Sequence, residues 1–163
     1  MKRIILISVF SLFIVISCGR KEFTEAGINE IVAEYDKILE KATDGKRFDW
    51  GDAKAYSNFT AYFHESKLIF INEDYRHRIP IEAFNRYYFK DGNLVYFIGK
   101  EFDANTKKRT ELTLYIDPNG NVIRYDKIAG GERIELESEE SDFIINHADE
   151  LYKVVDFKTS SVK

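Results

Sequence analysis

Apolar residues in this chain follow a helical period twice and a strand period in between. Ile28, Ile31, Val32, Tyr35, Ile38, Leu39 and Ala42 recur at three- and four-residue spacing, which draws one apolar stripe along a helix. Thr24 is placed to cap that helix, Glu25 puts a negative charge in its first turn, and Asp44-Gly45 closes it. Two to three heptads are marginal for a coiled coil, so the stripe is read as a helix lying on a sheet. A second stripe, Phe143, Ile144, Ala148, Leu151, Val154 and Val155, predicts a final helix capped by Ser138 or Ser141, with Glu139, Glu140 and Asp142 at its positive end. Thr159 to Lys163 should fray.

Between these stripes, from Tyr56 to about Lys127, the period is two and the segment repeats itself. Tyr62-Phe63-His64-Glu65-Ser66-Lys67-Leu68-Ile69-Phe70-Ile71 has the outline of Tyr88-Phe89-Lys90-Asp91-Gly92-Asn93-Leu94-Val95-Tyr96-Phe97. Tyr115 to Tyr125 follows the same outline with one residue inserted, and the leading tyrosines are 26 and 27 residues apart. Each unit is an aromatic strand, a polar turn and an aliphatic strand. Asp91-Gly92 and Asn119-Gly120 supply the positive φ angles of tight hairpins, whereas Glu65-Ser66 is the weakest of the three turns. Three successive hairpins predict an antiparallel meander of about six strands. With a helix at each end, the fold class is α+β, a single domain over residues 24–158.

The meander is rich in aromatics. Of the 22 aromatic residues that follow residue 17, 13 fall between Tyr56 and Phe102. If both helices cover one face of the sheet, the other must be covered by another element or present its aromatics to a partner. Tyr87, Tyr88, Phe89, Tyr96 and Phe97 are therefore the candidate binding face, for a protein, a peptide or an envelope polymer. The alternative is a small-ligand carrier or sensor with its pocket between sheet and helix.

The N-terminus concerns address. Lys2 and Arg3 precede fourteen uncharged residues, Ile4 to Ser17. At about 1.5 Å per residue they span about 21 Å as a helix, short of a hydrocarbon core about 30 Å thick. That is the layout of an export signal. Val15-Ile16-Ser17-Cys18 resembles the lipobox of bacterial lipoproteins, and Cys18 is the only cysteine in the chain. The resemblance implies cleavage between Ser17 and Cys18, a diacylglyceryl group on the Cys18 sulfur, and a lipidated tether over residues 18–23. Each buried methylene contributes about 0.8 kcal/mol, so two or three acyl chains anchor stably. Gly19, where an Asp resembles an inner-membrane retention mark in some bacteria, favours the outer membrane facing the periplasm.

Composition narrows the chemistry. The net charge of the whole chain is −4, and loss of residues 1–17 leaves 22 basic against 28 acidic residues, a balance of −6. Nucleic-acid binding through a basic field is not expected, and anionic headgroups would not hold the body to a membrane. A lone cysteine excludes a disulfide framework. Nucleophile elbow, phosphate-binding glycine loop, dinucleotide fingerprint and His-Glu-x-x-His pair are all absent from the sequence. No catalytic residue, metal or cofactor is assigned. His64, Asp74 and His77 could approach one another, but exposed strand and loop histidines are the plainer reading. His147 reads as a residue on the flank of the final stripe. Glu73, Asp74 and Glu82 beside Arg76, Arg78 and Arg86 read as a mixed solvated surface, and the acidic run Glu135 to Asp142 lacks the glycine of a calcium loop. Trp50 is expected to pack under the loop after the first helix.

Overall fold

The computed structural model describes residues 23–42, 45–51, 55–77 and 81–160. Ser17 and Cys18, with the whole export signal and most of the tether, lie outside these residues. In chain order the elements are α1 (Glu25–Leu39), β1 (Lys46–Gly51), β2 (Ala55–His64), β3 (Lys67–His77), β4 (Ile81–Lys90), β5 (Asn93–Asp103), β6 (Arg109–Ile116), β7 (Val122–Ala129), β8 (Glu132–Arg133) and α2 (Ser138–Ser160). The eight strands form one antiparallel sheet in which neighbours in sequence are neighbours in space, β1 to β8 without a crossover.

The α+β meander between two helices is therefore present, with two strands beyond the six anticipated. β1 takes in Trp50, which stands on a strand and not in a loop; β8 is only two residues long. α2 continues to Ser160, with the Thr159 hydroxyl donating back to the Val155 carbonyl at 2.7 Å, so fraying does not begin at Thr159. Thr24 caps α1 as its sequence position suggests, its Oγ1 accepting from the Gly27 amide at 3.2 Å. α1 ends at Leu39, before Asp44-Gly45, where the Lys41 and Ala42 amides donate three residues back, to Ile38 and Leu39 at 3.1 Å, and tighten the last turn.

The three-fold hairpin repeat is visible in the backbone. Pairing slips by one residue between Tyr62 and Phe63, between Tyr88 and Phe89, and between Tyr115 and Ile116. In each hairpin the returning strand carries one extra residue, Ile69, Val95 or Ile123, so all three have a β-bulge at the same place. Glu65 and Ser66 adopt φ angles of 50° and 65°, close to the 49° and 86° of Asp91 and Gly92. The weakest turn signal thus makes the same tight hairpin without a glycine. Lys67 Nζ donates to Asp91 at 2.9 Å and ties the first two tips together.

The helices lie on opposite faces. Tyr88 and Val95 pack with Ile31 and Tyr35 of α1, whereas Tyr87 and Phe89 pack with Ile144, Ala148, Leu151 and Val155 of α2. Adjacent residues on a strand point to opposite faces, so each helix has a face to itself. On the α1 face, cross-strand neighbours Tyr62, Phe70, Tyr88, Tyr96 and Tyr115 form an unbroken aromatic row over five strands, with ring centroids 4.8 to 5.7 Å apart. Arg124 ends the row on β7 and pairs with Glu25 of α1.

Candidate functional site

The five aromatic residues anticipated as an exposed face do not form one. Tyr87, Phe89 and Phe97 are buried beneath α2; Tyr88 is buried beneath α1 and Tyr96 is half-buried beside it. The reason is strand alternation combined with one helix per face. An apolar run on both sides of a strand marks a sheet covered on both sides, and here it is covered from within the chain.

The feature that does stand out is a polar cluster inside the α2 core. Across this face the register aligns Phe48, Phe59, Glu73, Asn85, Gly99, Leu112 and Lys127 from β1 to β7. Glu73 is 1% exposed. Its Oε1 lies 2.7 Å from Nε2 of His147 on α2. Its Oε2 accepts from the Tyr87 hydroxyl at 2.7 Å and from Asn85 Nδ2 at 3.1 Å. Ser57, fully buried on β2, neighbours the same carboxylate. Burial alone would raise the Glu73 carboxyl, but the hydrogen bond and charge of His147, with the Tyr87 hydroxyl, bring it below the ordinary glutamate value. Burial and the Glu73 charge push the Tyr87 phenol well up. With Glu73 ionised, the nitrogen of His147 that faces it carries the proton.

His147 is held by rings on every side. Trp50 meets it edge-on at 4.6 Å and Tyr75 at 5.5 Å, while Phe143 stacks parallel at 5.9 Å. It is therefore a central buried residue, not one on the helix flank. Glu73 likewise belongs to the core and not to the solvated surface where its acidic neighbours suggested it. Phe143 departs the other way: it is 58% exposed, although the sequence stripe counted it as apolar face. One signal could have revealed the pair. Glu73 is in strand phase with buried Ile71, and His147 falls on the three-four spacing of Ile144, Ala148 and Leu151. Each is a polar residue on an apolar line.

Beside this cluster a pocket of about 100 Å³ opens between the sheet and α2. Ala83 on the lining carries only a methyl group, whereas the space over Gly99 is taken by a neighbouring ring. At Gly99 a Cβ would come within 2.7 Å of the Phe97 ring, so the absence of a side chain lets that ring lie along the sheet. Phe97, Leu112 and Ile144 supply apolar wall, and Tyr87, Asn85 and His147 the polar floor. Glu101 and Thr110 from the sheet and Glu140 and Phe143 from α2 form the mouth. Lys127, nearly buried, pairs with Glu140. The Glu101 carboxyl is held above the ordinary value, first by partial desolvation and then by the Glu140 charge, against Lys127. A wider groove of about 320 Å³ runs between the hairpin tips and the end of α2, lined by Phe63, Lys67, Asp91 and Tyr152.

Both carboxylate oxygens of Glu73 are engaged, and among the described residues no serine or threonine hydroxyl hydrogen-bonds His147. The pair is arranged to hold α2 on the sheet and to shape the pocket floor. His64 stands at the first hairpin, 4.0 Å from Glu65. The side chain of His77 lies outside the described residues. Among those residues no three of His, Cys, Asp and Glu gather as metal ligands, and no helix is long and apolar enough to cross a membrane.

The chain matches no family model, no curated protein and no solved structure.

Proposed function

We propose that this chain is a lipid-anchored protein of the bacterial envelope, held through Cys18, that binds a small ligand non-catalytically in the pocket beneath α2. The observation that carries the reading is the pocket itself, which opens between Ala83 and α2 beside the buried Glu73–His147 pair. A protein that only had to close its core would fill that space, because interiors pack to the density of organic crystals. Burial of the aromatics on both faces removes the support for a sheet-face docking module. It leaves the carrier or sensor as the better-supported reading.

Two experiments test the two halves. Radiolabelled palmitate should enter the wild-type protein, and incorporation should cease with Cys18→Ala; label retained after that substitution sinks the anchor. For the pocket, the lipidated protein should show ligand-dependent thermal stabilisation against a small-metabolite collection. Stabilisation should be lost in Ala83→Leu, which fills the hollow. A ligand whose effect survives Ala83→Leu binds elsewhere, and the assignment fails.

A further inference from the structure

Resting on that reading, we propose that the pocket takes a small primary alkylammonium, with its chain on Phe97, Leu112 and Ile144 and its charged head at the rim by Glu101 and Glu140. Size limits the body first. A volume of about 100 Å³, below the roughly 150 Å³ of a cavity that holds benzene, suits a short aliphatic chain. The floor then decides where the polar end goes. Glu73 already accepts from His147, Tyr87 and Asn85, so a head group driven to the floor would displace bonds that hold α2. Phe97 and Leu112 share the cross-strand rows of Tyr87 and Asn85, and Glu101 with Thr110 forms the more exposed row beyond them, so the head is left at the mouth.

The rim decides the sign of the charge. Two carboxylates, Glu101 and Glu140, stand against one cation, Lys127, which is already committed to Glu140. A carboxylate head would meet like charge there, and a neutral head would leave two carboxylates sharing the one cation. An ammonium supplies the missing cation, and the Thr110 hydroxyl on the same rim offers a further acceptor. Partial desolvation by the neighbouring helix strengthens such a pair over one in open water.

The test uses the lipidated protein in detergent, with n-butylammonium, n-butanol and n-butyrate as probes of one shape and three charges, read by thermal shift and titration calorimetry. n-Butylammonium should stabilise most. Glu101→Gln should weaken it about tenfold, the loss of one charge-assisted hydrogen bond, while leaving n-butanol unchanged. Ala83→Leu should abolish binding of both; if that variant fails to fold, Ala83→Val fills part of the same space. Equal or tighter binding of n-butanol or n-butyrate, lost on filling the pocket, overturns the ammonium assignment and keeps the pocket. Binding of no probe, or binding indifferent to Ala83 substitution, overturns the pocket reading and this inference with it.

Discussion

The two faces of this sheet solve the same problem with different chemistry. Under α1 the sheet presents a row of rings, and polarity is kept at its margins. Tyr88 donates to Asp36 at 2.9 Å and Tyr115 to Asn29 at 3.1 Å, so the hydroxyls reach the helix while the rings stay beneath it. Under α2 the arrangement is reversed: a carboxylate and an imidazole stand at the centre, ringed by Trp50, Tyr75 and Tyr87. Aromatic packing tolerates small shifts of the covering helix, whereas one short hydrogen bond between buried partners does not. α1 is thus a cover, and α2 is a keyed element whose position sets the pocket.

The sharpest way to break this contrast is His147→Ala. It leaves Glu73 buried without its partner and should cost about 3–5 kcal/mol, measured by urea unfolding. Tyr88→Phe on the other face removes one hydrogen bond to a carboxylate and should cost only about 1.5 kcal/mol. Equal losses would end the distinction between key and cover. Acid titration sharpens it further. Because the Glu73 carboxyl is depressed in the folded state, its contribution is present above the ordinary glutamate range and is lost as pH falls through the folded value. Wild-type stability should fall more steeply below about pH 4.5 than that of Glu73→Gln, followed by circular dichroism. On the α1 side, Tyr96 is pushed up to about 12, chiefly by burial. Stability held by the neutral ring should persist at lower pH and fall as pH rises from 10 through that value, a loss that Tyr96→Phe should lack. At the helix ends, Thr24→Ala should cost about 1 kcal/mol. Smallest of all, Ser66→Gly should gain up to about 1 kcal/mol by relieving a left-handed backbone, visible as a raised midpoint in the same urea series.

Those two faces also differ in how much of them the sequence discloses. The hairpins were legible because turn residues and alternation act within ten residues of each other. The leading tyrosines even mark the bulges, since Tyr62, Tyr88 and Tyr115 each sit on the residue before the slip. β1 escaped notice because Phe48-Asp49-Trp50 is too short to show a period, and β8 has only Glu132 and Arg133. The expected exposed aromatic face is absent for a different reason. An apolar run shows that both strand faces are covered, not whether the cover comes from this chain. The Glu73–His147 bond joins residues 74 apart, and no local rule connects them; the only hint is that each polar residue stands in phase on an apolar line. Ala83 carries no signal at all as a pocket former, because a hollow is defined by what surrounds it.

The uncrossed order of the strands has a consequence for assembly in time. Every strand finds its hydrogen-bonding partner in the segment just before or after it, so loops stay short and most of the sheet can zip up as the chain emerges. The first hairpins can close before the last helix has formed, and the arrival of His147 at Glu73 becomes the step that completes the molecule.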